Sequence, residues 1–444
     1  MPDRIVAVAE QRLFTGFHHS SLQPLMKLVG GIAAYCAFCL VLLSLRPFNY
    51  VSVRQLETQH GDSLNQIGYL AAGTIAAVCI ASLVDRRLLR IFLAPAWIGI
   101  FAVLVLSVMV APNPEAVLRS VALTLICILI TSCIVLLPPD ERAFQIVSAS
   151  AILSVLAISY AGIILIPDEA IHGGVGDEAH HAGLWRGHFA HKNLAGPTIS
   201  VLIMFGIYLW RAGMKAVGMV IVALSLVFVI QTGSKTTISL VPIAVIAVLA
   251  GRVFGLPMLT VALYAAAVLA LAMLTIGSVY IPFFAQITAL LLDDPSFTGR
   301  ATLWEYGILN IPNHLWFGTG YDNFWGTPLV TDMEYPYAWP WDFRGIVHGH
   351  NNYIDIALTT GVFGFVILFW ALFIAPAVNY VKSCQIPSNR NLADLFMMII
   401  VFLALLSFME TFFLRRMDPI WLMMVIAVVG LQLTARYKTL KANG

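Results

Sequence analysis

Charge is what this chain has least of. Only 11% of its 444 residues are Asp, Glu, Lys or Arg, against about 25% in an ordinary soluble domain, which excludes a soluble globular protein. The 25 Lys and Arg nearly cancel the 23 Asp and Glu, for a net charge of +2. No basic field exists for nucleic acid, and there is no acidic tail. The six cysteines supply no disulfide framework: Cys36, Cys39, Cys79, Cys127 and Cys133 fall inside apolar runs and Cys384 lies just past one. The Cys36/Cys39 spacing sits in an apolar stretch, where small side chains simply pack. Internal repeats, low-complexity tracts and a nucleotide-binding glycine pattern are all lacking. Residues 1–26, with Arg4, Glu10, Arg12, His18 and His19, do not read as a signal peptide, so the first apolar run is expected to be the anchor.

What is present is apolar: 60% of the residues are hydrophobic. Runs long enough for a bilayer core of about 30 Å occur near 28–45, 64–84, 91–111, 117–137, 143–166, 194–210, 216–231, 236–251, 256–282, 353–379, 393–414 and 419–434. The expected fold class is all-α, a polytopic integral membrane protein of about twelve transmembrane helices with a large periplasmic loop carrying short helices. Residues 1–27 form a cytoplasmic segment, 28–282 the first nine helices, 283–352 the loop, 353–434 the last three helices and 435–444 a cytoplasmic tail. This orientation puts fifteen of the 25 Lys and Arg on the cytoplasmic side and the other ten on a side with far more polar sequence, as the positive-inside rule requires.

Ionisable residues are nearly absent from the middle of the expected spans, which argues against an ion-coupled transporter. Polar chemistry collects in loops 167–193 and 283–352 and in a turn around Gly233, the kind of segment on which a rigid scaffold carries active sites. Loop 283–352 holds Trp304, Trp316, Trp325, Trp339 and Trp341 with Tyr306, Tyr321, Tyr335 and Tyr337, too much aromatic area for a solvated coil. An interfacial aromatic belt and a carbohydrate surface, with rings against sugar C–H faces, both fit. Residues 300–311 read as a short amphipathic helix on the membrane surface, with Leu303, Trp304, Ile308 and Ile311 on its apolar side and Pro312 ending it.

At the end of that loop stands His348-Gly349-His350-Asn351-Asn352, ahead of a helix opening through Tyr353 and Asp355. A neutral imidazole there could take a proton from a sugar hydroxyl; a structural pair fits as well. Metal ligation needs more ligands than the nearby Asp342 and Asp355 offer, and no metal is expected. Arg300 starts the amphipathic helix, where its fork could hold a phosphate bidentately or snorkel at the surface. Lys235, on the outer turn 231–237, has membrane anchoring as its plain role. Loop 167–193 contains His172, His180, His181, His188 and His191 among Asp168, Glu169, Asp177 and Glu178. Its glycines suggest a mobile, solvated cover more than a metal or pH-sensing centre. Arg186 and Lys192 fall at its outer interface.

Taken together, Gly187-His188-Phe189-Ala190-His191-Lys192-Asn193, Gly233-Ser234-Lys235-Thr236, Thr298-Gly299-Arg300 with Trp304, Gly318-Thr319-Gly320, and His350-Asn351 followed nine residues later by Gly361-Val362-Phe363-Gly364 resemble the O-antigen ligase and polymerase family. The resemblance covers roughly residues 185–370, and the His-Asn to Gly spacing is its most specific element. It implies an inner-membrane glycosyltransferase that takes a glycan from undecaprenyl diphosphate on the periplasmic face and joins it to an acceptor glycan or glycolipid, without cofactor, metal or nucleotide sugar. Polysaccharide-assembly proteins would be further partners. The family histidine falls on His350, the large-loop arginine on Arg300, and a second basic residue on Lys235, with His348, Asn351, Lys192, Arg186 and Trp304 as further substrate-binding candidates. The alternative that the resemblance implies is a ligase acting on lipid A-core, and ligases often look to have arginine on the turn before that helix. Lysine there is more like the exopolysaccharide polymerases related to succinoglycan production, and replaces a bidentate fork with a point charge.

The chemistry implied needs positive charge for the departing diphosphate, a base for the attacking hydroxyl and alignment of the two. Arg300 and Lys235 would supply the first, His350 the second and the aromatic loop the third, with inversion at the anomeric carbon. A lipid-linked oligosaccharide transporter is the competing class, and it would call for internal repeats and broken helices at mid-membrane.

Overall fold

The structure, a computed structural model, describes residues 23–49, 63–173, 181–334 and 339–439. Arg4, Arg12, Asp177, Glu178, His180, Tyr335, Tyr337 and Lys441 lie outside the described residues. Helices dominate, and among the described residues the only β pairing is an isolated antiparallel bridge, Ile171 with Trp185. In chain order the main helices are α1 (Gln23–Leu43), α2 (Ser63–Leu83), α3 (Pro95–Val110), α4 (Pro114–Leu136), α5 (Glu141–Leu165), α6 (Lys192–Arg211), α7 (Lys215–Gln231), α8 (Lys235–Val253) and α9 (Pro257–Leu274). Then follow α10 (Pro282–Leu291), α11 (Arg300–Asn310), α12 (Asn352–Phe369, prolonged through Cys384), α13 (Arg390–Leu406) and α14 (Pro419–Arg436).

Each of the twelve apolar runs coincides with a helix. Among the described residues ten are long and apolar enough to cross a membrane, and eleven if Arg86–Leu93 and α3, bent by 59°, make one span. The expected twelve is reached only if α7, at 17 residues, also crosses. Helix starts follow local chemistry. Proline occupies the first turn of α3, α4, α9 and α14, where its missing N–H costs nothing. Asn113 caps α4 through Ala116 N, Asp140 caps α5 through Ala143 N, and Asp418 caps α14 through Ile420 N.

Helices α13 and α14 are buried on every side and form the centre of the bundle. Their neighbours are α6, α8, α4 and the prolongation of α12. At one end of this centre, Asp394 of α13 accepts from Arg211 at the close of α6 (2.9 Å) and from Tyr380 (3.2 Å), with Arg252 of α8 at 3.9 Å. A buried carboxylate tolerates that position only because it is paired. The shared contact fixes the far ends of α6, α8 and α13 together, so their other ends meet on the side that carries loop 283–352, here called the loop side.

The long loop is packed, and it departs from a surface belt. Leu303 and Trp304 of α11 are buried in protein, so the apolar side of α11 packs on the fold and not on lipid. Tyr306 gathers Phe324, Trp325, Trp339 and Phe343 within 6.2 Å between ring centroids, a small aromatic core of its own. Trp316 and Phe317 behave otherwise, lying exposed against Phe363 as a belt would. Part of the expected loop is also regular: residues 282–291 are helix α10.

Two glycine motifs meet where the loop docks. α12 opens at Gly361, whose φ of 65° and ψ of −172° are not helical. There Val362 N donates to Leu315 O (2.8 Å), while Thr319 N and Gly320 N donate to Leu358 O and Thr359 O (3.0 and 2.9 Å). The broken helix thus exchanges part of its own ladder for bonds to residues 315–320, which satisfies backbone groups that lipid could not. A Cβ on Gly361 would stand 2.4 Å from Phe317 N, and one on Gly318 would stand 2.3 Å from the Thr359 carbonyl carbon. Gly361→Ala combines that collision with a left-handed backbone, and such substitutions destabilise by more than about 1 kcal/mol. The expected outcome is a clear drop in melting temperature of the detergent-solubilised protein, measured against the helical control Gly31→Ala, whose added Cβ meets no atom within 4 Å.

Candidate active site

The loop-side ends of α11, α12 and α13 converge on one carboxylate. Past Leu406 the chain leaves α13 and runs irregularly to Asp418, so the expected span 393–414 ends early and Glu410 lies outside helix. Glu410 Oε1 accepts from Arg300 Nη2 at 2.7 Å, and Oε2 accepts from His350 Nδ1 at 3.0 Å. Burial pushes the Glu410 carboxyl up, but Arg300 and His350 beside it more than offset this, leaving it below its ordinary value. An ionised acceptor on Nδ1 requires that nitrogen to carry the proton, which leaves the His350 Nε2 lone pair available. Among the described residues Arg300 uses only Nη2 in hydrogen bonding, so the rest of its fork is available to a second anion.

Local sequence builds each of these positions. Phe297, Thr298 and Gly299 all have positive φ, turning the chain sharply into α11. Gly299 lies under the Trp341 ring, whose Nε1 donates to its carbonyl at 3.3 Å, and a Cβ there would come within 2.9 Å of that nitrogen. His350 has φ of 50°, a strained backbone for a residue with a side chain. It is held by its neighbours. Asn351 caps α12 through Tyr353 N and Ile354 N (3.1 and 3.2 Å), and its Nδ2 donates to Phe408 O (3.2 Å). Asn352 Oδ1 accepts from Phe412 N and Phe413 N, each at 2.9 Å. Asp355 gathers Trp325 Nε1 (2.7 Å), Gly349 N (2.9 Å) and Thr411 Oγ1 (2.6 Å). These bonds join the His350 turn to the segment that bears Glu410.

The other expected site residues fall in different places. His348 is next to His350, with ring centroids 4.1 Å apart, and its Nδ1 is buried without a partner. Burial first, then the nearby His350, Arg415 and Arg300, hold it well below the usual imidazole value, so it stays neutral. Asn351 and Trp304 are fully buried; the first is a helix cap and the second packs on Phe297. Arg186 is buried as well, directed at Ala190 O and Asp168 O (3.4 Å each) and at Glu169 (3.9 Å). Lys192 opens α6, and its backbone N–H donates to His172 Nε2 at 3.1 Å. Lys235 is exposed at the start of α8 and makes no side-chain hydrogen bond or ion pair among the described residues. The adjoining Ser234 packs on Gly196 of α6, which puts Lys235 on the loop side.

The described part of loop 167–193 is not the mobile cover expected. His172 N donates to Leu184 O, Arg186 N and Gly187 N to Ala170 O, and Trp185 N to Gln231 O, fixing it to the bundle. His188 is buried, donating Nε2–H to Leu42 O (2.9 Å) and accepting from Ser159 Oγ at Nδ1 (2.7 Å). Burial lowers it to about 4, which makes it a neutral structural histidine. Among the described residues no group of three or more His, Cys, Asp and Glu is placed to hold a metal ion. Asp342 pairs with Arg344 at 2.7 Å.

Glu410 is the residue that sequence reasoning missed. Its signal was a carboxylate four residues from the end of an apolar run, ahead of Arg415, Arg416 and Asp418, and an ionisable group at membrane depth is a functional candidate by default. No curated protein matches the chain. Residues 220–369, which include Lys235, Arg300, His348, His350 and the glycines at 318 and 361, match the family model for O-antigen ligase, in a chain whose long apolar helices are those of a multi-pass membrane protein.

Proposed function

We propose that this protein is an inner-membrane glycosyltransferase that polymerises exopolysaccharide or O-antigen repeat units from undecaprenyl-diphosphate-linked donors on the periplasmic face. The observation that carries this reading is the Arg300–Glu410–His350 constellation: an arginine with free fork nitrogens beside an imidazole whose Nε2 is poised as a base. In the reaction His350 Nε2 takes the proton of the acceptor hydroxyl, whose oxygen bonds to the anomeric carbon of the donor. The bond from that carbon to the diphosphate oxygen breaks from the opposite face, which inverts the configuration. Arg300, with Lys235 as a point charge, meets the negative charge that leaves with the undecaprenyl diphosphate, and Glu410 steadies the imidazolium.

An apolar cavity of about 550 Å³ supports a lipid-linked substrate. It lies between α9 and the prolonged α12, lined by Tyr264, Val268, Phe369 and Phe373, with Tyr353 and Phe408 also on its wall. Tyr353 is three residues from His350 and Phe408 two from Glu410. A polyprenyl chain in this cavity would bring its headgroup to the site. The test is reconstitution in vesicles with an undecaprenyl-diphosphate oligosaccharide. The expected products are longer lipid-linked chains and one free undecaprenyl diphosphate per new bond, with EDTA present and no nucleotide sugar. Passage of the intact donor across the bilayer with no new glycosidic bond would replace the enzyme by a transporter, and extension of lipid A-core alone would make it a ligase.

A further inference from the structure

A second cavity, of about 60 Å³, lies between residues 321–325 and 411–415, and the reaction above leaves it unused. Asn352, Asp355, Ile356 and Thr359 supply its helical wall, the i, i+3, i+4 and i+7 positions of one face of α12. The apolar cavity takes Tyr353 from the same turn instead, together with Phe408. The two cavities therefore use different faces of α12, and both end beside the His350–Glu410 pair: Thr411 follows Glu410 on one wall, and Phe408 precedes it on the other.

The cleft is firmly built. Tyr321 Oη donates to Leu414 O and lies 3.0 Å from Thr124 Oγ1 of α4. Asp355 is held by Trp325, Gly349 and Thr411, as described above. His348 closes the inner wall, its ring centroid 4.1 Å from that of His350. On the outer side the cleft passes Asp322, which is exposed.

Two side chains on its walls have hydrogen-bonding capacity to spare. Arg415 makes no ion pair among the described residues, and its one side-chain bond, Nη1 to Thr411 O, is long at 3.4 Å, which leaves Nε and Nη2 to donate elsewhere. Asn323 donates Nδ2–H to Thr319 O at 2.9 Å, while among the described residues its Oδ1 accepts nothing. The carboxylates of Asp322 and Asp355 balance the guanidinium groups of Arg415 and of Arg416, which pairs with Asp322 at 2.9 Å, so the cleft offers no net field for a second anion. It suits a neutral ring whose hydroxyls accept from a guanidinium and donate to an amide carbonyl, and Trp325 and Phe413 offer apolar surface for its C–H face. A water needs about 10–15 Å³ of such space, so the cavity admits roughly four to six waters, or the hydroxyl-bearing edge of one sugar, and not a chain.

We propose that this cleft holds the attacking sugar of the acceptor, with Arg415 donating to its oxygens and Asn323 Oδ1 accepting from a hydroxyl beside the one that His350 deprotonates. This rests on the glycosyltransferase reading. Donor and acceptor then reach His350 from different sides, as displacement with attack opposite the diphosphate requires.

Because the cleft recognises the sugar alone, an acceptor without the lipid diphosphate must suffice. The probe is the repeat-unit oligosaccharide as its octyl glycoside, given to the full-length protein in vesicles with saturating undecaprenyl-diphosphate oligosaccharide as donor. Arg415→Gln is expected to raise the acceptor KM about 10- to 100-fold, for a lost hydrogen bond from a charged group, and Asn323→Ala about 2- to 10-fold, for a neutral one. Donor KM and melting temperature stay at the parent's values. An acceptor KM unmoved in Arg415→Gln, or a donor KM that rises equally, would overturn the proposal while the glycosyltransferase reading stands. So would a parent that joins lipid-linked units but ignores the octyl glycoside. A parent that forms no glycosidic bond with either acceptor would overturn both. Should Arg415→Gln fold poorly, Asn323→Ala decides by the same two constants.

Discussion

His350→Ala should abolish glycan transfer while the protein still reaches the membrane in normal amount. A positioned general base contributes about 10²- to 10⁴-fold in rate, and His350 is positioned from both sides: Glu410 holds its Nδ1, and the Asn351 and Asn352 bonds hold its backbone. His348→Ala should retain measurable product, because that ring is kept neutral and has a buried, unpartnered Nδ1 with no acceptor to orient it. The measurement is lipid-linked product per reconstituted protein, with circular dichroism as the control for folding. Full activity in His350→Ala would end the role of the imidazole as base. Equal loss in both variants would turn the pair into a shared binding surface.

Glu410→Gln is expected to lower the rate by a comparable factor, about 10²- to 10⁴-fold, although it removes no more than one charge. With an amide in place of the carboxylate, the Arg300 guanidinium loses its counter-charge and the His350 imidazolium loses the anion that steadies it. Glu410→Asp should recover part of the activity, and its donor KM should lie closer to the parent than its kcat does. A purely structural Glu410 would behave differently: glutamine, of the same shape, would then retain full rate, and that outcome would remove Glu410 from the reaction.

The helices were legible because a bilayer leaves few alternatives to a long apolar run; all twelve runs carry helix, and α7, at 17 residues, returns the chain from the Arg211 end to the loop side. His350 and Arg300 were legible through motif spacing. Glu410 was not, since Met409 and Phe412–Leu414 continue the hydrophobic run of α13 and hide the point where helix stops. The same masking conceals the opening of α12 at Gly361, which lies among Ala357, Leu358, Val362 and Phe363. That Asn351 and Trp304 sit inside the fold could not be read from residue type, because burial is a three-dimensional property. Lys235 lies exposed on the loop side, with no side-chain partner among the described residues.

The junction of residues 315–320 with the opened α12 also bears on how the protein is made. The stretch that docks leaves the ribosome before the segment that receives it, and its amides and carbonyls have no complete set of partners until Leu358–Phe363 has followed. The aromatic loop therefore lacks part of its hydrogen bonding until the next helix has been made. Glu410 arrives later still, after α13 has been threaded. The Arg300–Glu410–His350 contact thus completes late in synthesis, with only α14 to follow, and a nascent chain halted anywhere before Glu410 holds Arg300 and His350 without the group that joins them.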